Sequence, residues 1–222
     1  MSKIPYSTAL IIGAGPGISA SVGRALATEG VKVGLAARDV EKLSPLATEI
    51  GAETFAADAT DATAVATLFE HMEAKLGPLD VVLYNAAARL PGSITDLDPN
   101  EVQRVIAAST YAAFLVVQQA ARRMLPRRSG AILLTGASAS IKGYPRSSAF
   151  AMGMFGRRGL AQTRANCPRK VFTSHISSSM AESEASGSQS PGEAGQHARP
   201  RCNRANLSRR VAAAAECMVV GD

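Results

Sequence analysis

Three glycines, Gly13, Gly15 and Gly17, stand two residues apart, directly after the apolar run Leu10-Ile11-Ile12 and just before a stretch, residues 21–26, whose composition suits a helix. A backbone without side chains at such spacing can turn sharply and approach a ligand closely. A helix starting there points its free N–H groups, and the positive end of its dipole, into the same crevice, which is the chemistry that holds a pyrophosphate. Glycine-rich tight turns are common on their own. The order strand, glycines, helix, strand within about thirty residues is what points to a dinucleotide, with Gly13, Gly15, Gly17 and Ile18 as backbone contacts.

Further candidate contacts fall at the ends of later apolar runs, where open α/β sheets place their ligands. Residues 31–36 read as a second strand, and Ala37-Arg38 follows it. That position offers no carboxylate for ribose hydroxyls and one cation suited to a 2′-phosphate, so it favours NADP(H) over NAD(H); the alternative for Arg38 is a plain solvated side chain. Asp58 ends a third strand at 54–57, where it can accept from an adenine amino group, cap the helix expected over 61–75, or do both. Asn85 and Ala86 close a fourth strand at 79–84, and their small neighbours allow a ligand close to the backbone.

These candidates need a sheet to carry them. Residues 39–50, with Asp39 near the N-cap, 61–75, 99–124 and 150–162 read as helices, and 131–135 as a fifth strand. In the 99–124 segment Val102, Val105, Ile106, Phe114, Val117 and Ala121 fall at mostly helical spacing and suggest a core helix. Regular alternation of strands and helices implies right-handed crossovers and a doubly wound parallel sheet, a three-layer α/β/α Rossmann fold.

At this point residues 6–165 resemble the short-chain dehydrogenase/reductase family. The run from Ile12 to Ser19 is similar to that family's Thr-Gly-x-x-x-Gly-Ile-Gly, with Ser19 at its last glycine. Tyr84-Asn85-Ala86-Ala87 is similar to its Asn-Asn-Ala-Gly, and its adenine-contacting Asp falls on Asp58. The resemblance implies hydride transfer between a nicotinamide and a carbonyl or alcohol. It further implies a Tyr that exchanges the proton, a Lys four residues later that lowers the phenol pKa, a Ser that polarises the carbonyl, and an Asn on the long helix. Those positions are Phe150, Met154, Ala137 and Ser109, so the catalytic groups are lost, and Ser138, next to Ala137, is the remaining hydroxyl. Tyr144 reads as a loop anchor. Family members also pair through the long helices, which implies a homodimer or homotetramer formed by 99–124 and 150–165.

Bulk properties restrict the remaining classes. A net charge of +6 raises nucleic acid as a partner, but Arg122-Arg123, Arg127-Arg128 and Arg157-Arg158 fall near expected helix ends with no interleaved aromatics, so nucleic-acid binding is not expected. No run of eighteen apolar residues is present, and neither a membrane span nor a leader is expected; the reading is a cytoplasmic protein. Cys167, Cys202 and Cys217 lack metal-ligand spacing and read as reduced thiols, with no metal site.

The chain then divides into a dinucleotide-binding domain, 1–165, and an aberrant, poorly ordered tail, 166–222, in which 171–176 can still form a sixth strand. Serine-rich, aperiodic composition marks the change. Back-translation of 171–180 and 193–204 in shifted frames recovers strand-like and family-like segments, so the tail reads as a frameshifted or mis-spliced C-terminal third. An NADP(H)-binding pseudoenzyme with a regulatory or dimerisation role is the competing reading of the whole chain.

Overall fold

A computed structural model of the chain describes residues 4–163 and the backbone of residues 171–177. Six parallel strands form one sheet: β1 (Thr8–Ile12), β2 (Lys32–Ala37), β3 (Glu53–Ala56), β4 (Val81–Tyr84), β5 (Gly130–Gly136) and β6 (Val171–Ser177), in the spatial order β3-β2-β1-β4-β5-β6. Between them run α1 (Ile18–Thr28), α2 (Ser44–Ile50), α3 (Ala62–Leu76), α4 (Pro99–Ile106), α5 (Ala112–Arg127) and α6 (Ser148–Gln162). This is the doubly wound Rossmann architecture expected from the alternation. The direction of winding reverses between β1 and β4, and the register there sets Ile12 beside Tyr84.

Period-two alternation divides the core between the two faces of the sheet. Leu10, Ile12, Val82, Tyr84, Ile132 and Leu134 face α3 and α5, where Phe69, Met72, Val116 and Met124 meet them. Ala9, Ile11, Val33, Leu35, Val81 and Leu83 face the other way, onto Val22 and Leu26 of α1 and Leu46 of α2. Burial on both faces is why these strands read as unbroken apolar runs.

Three local expectations are corrected. Asp39 stands next to the N-cap of a 3₁₀ turn, not of a helix over 39–50, and its carboxyl takes backbone bonds from Glu41 and Lys42. That turn, Glu41–Leu43, comes first, α2 starts at Ser44 with Pro45 in its first turn, and Asp39 pairs with Lys42 at 2.8 Å. The cap of α3 is Asp61, which accepts from the Thr63 and Ala64 amides, so Asp58 is not the capping residue. The long helix is broken by a π turn, Ala107–Tyr111, which shifts the buried stripe. Phe114 is exposed and Val117 only half-buried; Ala112, Ala113, Val116 and Ala120 form the core face.

The strand expected at 171–176 is present as β6, paired in parallel with β5 from Gly130↔Val171 to Gly136↔Ser177. The remaining expectations for the tail, its frameshift reading, its disorder and its cysteines, lie outside the described residues.

Candidate active site at the strand ends

The glycine turn is built around one close approach. Gly13 has φ +76°, and a Cβ placed on it would lie 2.3 Å from the Ala86 amide nitrogen, so the turn after β1 and the loop after β4 touch backbone to backbone. Only glycine permits both. The Gly13 and Ala14 amides donate to Ala36 O of β2, at 2.9 and 3.1 Å, which fixes the turn to the sheet. Ser19, fully buried, donates to Gly13 O and accepts from the Asn85 side-chain amide at 2.8 Å, locking α1, the turn and β4 together. The serine in the last glycine position therefore has a structural role of its own, which only the folded contact reveals.

Beyond this lock the crevice is open. A Cβ on Gly15 or Gly17 would meet nothing within 4 Å, and Gly17 leads into α1 with no side-chain cap and no acidic residue in the first turn. Free amides at a helix N-terminus beside empty space suit an anion, so the residues present fit a dinucleotide pyrophosphate. Arg38 is exposed just after β2, and no carboxylate pairs with it among the described residues. Asp58 forms an Asx turn, accepting from the Thr60 amide at 2.9 Å and hydroxyl at 2.7 Å. Those two bonds hold its carboxyl below the usual range, with a smaller pull from Arg38.

Three of the four positions implied for catalysis, Ala137, Phe150 and Met154, come together, but as an apolar cluster, and Ser109 lies outside it. Ala137, Ala139, Phe150 and Met154 pack on one another with Tyr144 alongside, and Phe150 and Met154 are 8% and 2% exposed. None of the four cluster residues is an acid, a base or a phenol, and the Tyr144 phenol packs only at its edge. Ser138 is half-buried at the start of a 3₁₀ turn, Ser138–Ser140, whose Ser140 hydroxyl accepts from the Ala137 amide. Ser109 lies in the π turn opposite α6. Its hydroxyl is buried without a hydrogen-bond partner, and a Cβ on Gly153 would come within 2.6 Å of the Ser109 Cβ.

Arg157 departs furthest from expectation. It is not a solvated helix-end cation: it is 1% exposed and donates to Ser109 O at 2.7 Å, Thr135 O at 3.0 Å and Ala86 O, with its guanidinium 4.8 Å from the Tyr84 ring. Burial pulls it down to about 10, with Tyr84 opposing, and burial likewise pushes the Tyr84 phenol up to about 12. Five planar donors match three carbonyls from three segments, which is how the charge is tolerated. Of the other pairs, Arg123 binds Glu73 and Arg127 binds Asp80. Among the described residues there is no cluster of potential metal ligands and no helix long and apolar enough to cross a membrane.

A family model described as short chain dehydrogenase matches residues 7–190. The chain belongs to this family. Versicolorin reductase of Emericella nidulans is 34% identical over 172 residues, 74% of this chain and 63% of that protein. A metagenomic short-chain oxidoreductase solved in complex with NADP superposes with a TM-score of 0.79 at 25% identity, over 96% of this chain and 92% of that one. An NAD⁺-bound xylitol dehydrogenase superposes at 0.70 and 25% identity, over 74% of this chain and 65% of that one. The chain spans 55% to 63% of the length of such curated relatives. The family binds a nicotinamide dinucleotide and a substrate; structures with either dinucleotide resemble this chain.

Proposed function

We propose that the chain is an NADP(H)-dependent oxidoreductase acting on a carbonyl or alcohol in the cytoplasm, with proton transfer weakened at its own catalytic positions. The observation that carries the reading is the contact of Gly13 with Ala86 beside open space at Gly15 and Gly17. In this reading Gly13, Gly15, Gly17 and Ile18 cradle the pyrophosphate, Asp58 accepts from the adenine, and Arg38 pairs with the 2′-phosphate. Asn85 and Ala86 border the nicotinamide ribose, and when bound the dinucleotide supplies or takes the hydride. Ser138 is the hydroxyl left to hydrogen-bond the substrate oxygen. Phe150 has no proton to exchange and Met154 no charge to shift a pKa, so the proton is exchanged with water, taken from it when a carbonyl is reduced and given to it when an alcohol is oxidised.

A specific observation favours a second reading: Phe150 and Met154 are buried against each other's neighbours as core residues, the arrangement of a binding-only pseudoenzyme. Two measurements separate the possibilities. Nicotinamide fluorescence titration is expected to give NADPH binding about tenfold tighter than NADH, reversed in Arg38→Glu; equal affinities would reject the NADP(H) preference. NADPH oxidation is then followed with ketones, aldehydes and quinones. Slow turnover by the natural chain, raised about 10²-fold or more by Phe150→Tyr with Met154→Lys, supports a weakened enzyme. No turnover in either protein, with NADPH still bound, leaves the pseudoenzyme.

A further inference from the structure

The apolar cluster at the catalytic positions is topped by cations. The Arg89 guanidinium, in the loop after β4, lies over the Phe150 ring at 4.7 Å, and the Lys142 ammonium lies over the Tyr144 ring at 4.9 Å. Phe150 and Tyr144 belong to the same cluster, so both cations crown one floor. The two loops that carry them are joined: the Gly92 amide donates to Arg146 O at 3.1 Å, so the backbone of a third, exposed cationic residue, Arg146, is held in the same pair of loops.

None of Arg89, Lys142 and Arg146 pairs with a carboxylate among the described residues. The sequence offers little to pair with them, because no Asp or Glu occurs between Glu101 and Glu182. The acids just upstream are engaged, Asp96 with the Thr95 hydroxyl and Asp98 as the cap of α4. A guanidinium lying on an aromatic ring uses its face, which leaves the N–H edge pointing outward as a two-pronged donor. Exposed charges of one sign gathered at one place raise the local positive potential and draw an anion to it.

We propose that this rim is the substrate's anchoring site and that the substrate is an organic carboxylate with an apolar body, its carboxylate held by the Arg89 fork with Lys142 and Arg146 adding attraction. The body lies against the half-buried Tyr144, at the edge of the cluster whose Phe150 is already covered by Arg89. This rests on the oxidoreductase reading for the word substrate alone; the anion site stands on its own contacts. The cluster that lost a phenol and an ammonium thereby acquires a second use, as the hydrophobic seat of a charged molecule.

The test compares benzoate with its uncharged isostere benzamide by calorimetric titration of the full chain at low salt, with and without NADPH. Benzoate is expected to bind about tenfold tighter than benzamide, a preference that falls to about twofold or less in Arg89→Gln, is partly kept in Arg89→Lys, and weakens with added salt. Lys142→Gln is expected to lower it to a smaller extent. Arg89 is exposed, and matching urea midpoints for natural and variant proteins confirm folding. Equal binding of benzoate and benzamide, binding of neither, or an unchanged preference in Arg89→Gln overturns the proposal. The NADPH titration in the same samples keeps the two ideas apart: failure to bind NADPH defeats the oxidoreductase reading whatever benzoate does, and NADPH binding without a benzoate preference defeats this one.

Discussion

Tyr84 and Arg157 show how single side chains determine the shape of the site. Tyr84 is the last residue of β4, fully buried, and its hydroxyl donates to Ala108 O in the π turn, while its ring lies against Arg157. Its phenol is pushed up to about 12, by burial first and by Asp58 to a smaller extent, with Arg157 opposing. A folded-state pKa above the unfolded value means that the native protein holds the proton longer. The stabilisation is therefore complete below pH 10 and is lost as pH rises from 10 through about 12, at a slope of about 1.4 kcal/mol per pH unit. Urea unfolding across that window is expected to show a steeper alkaline loss in the natural chain than in Tyr84→Phe, by a total on the order of 3 kcal/mol. Tyr6, raised to about 12 by its own burial and by Asp80, gives the same slope in both proteins and cancels from the comparison. Parallel curves would show that Tyr84 ionises as freely as in the unfolded chain.

At the scale of elements the decisive contact is between α6 and the π turn that precedes α5. Gly153 and Gly156 let α6 approach so closely that a Cβ on either would fall 2.6 Å from the Ser109 Cβ or 2.8 Å from the Thr110 Cγ2, and the Thr110 hydroxyl donates to Gly153 O at 2.7 Å. Gly153→Ala in mid-helix gains helix propensity, about 1 kcal/mol, yet the clash is with a Cβ that cannot rotate away. The expected net result is a loss of about 1–3 kcal/mol of unfolding free energy by urea titration, whereas Gly159→Ala, with nothing within 4 Å, is expected to stabilise slightly. Local patterns predicted the strands, the glycine turn and most helices, because each rests on neighbours in sequence. The buried face of α5 could not be read that way: the extra residue of the π turn rotates everything after it, taking Phe114 out of the core and Ala113 into it. Arg157 was illegible for a related reason. Its acceptors, Ala86 O, Thr135 O and Ser109 O, come from three separate segments, and nothing in an Arg-Arg pair announces them. The candidate cofactor contacts stood out because turn chemistry is local, and the apolar types at Ala137, Phe150 and Met154 could be read from the sequence; that these three pack on one another needed the fold.

Across the whole molecule the rotated register has a second effect. The π turn and α5 leave Tyr111 and Phe114 49% and 43% exposed, one turn apart, and α6 leaves Met152 and Phe155 50% and 44% exposed at the same spacing. Four large apolar side chains thus stay uncovered on elements that pack together, the kind of exposure that marks a protein contact. Because α6 packs on the π turn through Gly153 and Gly156, anything that covers these side chains also clamps the wall of the candidate site. Self-association through these helices, the pairing that the family resemblance implies, is the proposal for what covers them. Sedimentation analysis of the natural chain is expected to give a dimer or tetramer, and Phe114→Asp with Phe155→Asp a monomer with its urea midpoint lowered at high protein concentration, since only the associated form gains from mass action. Arg24→Gln, far away on α1 in a surface pair with Glu49, is expected to leave the assembly unchanged. A natural chain that sediments as a monomer at every concentration would leave these exposed side chains without a partner and remove the link between assembly and the stiffness of the site.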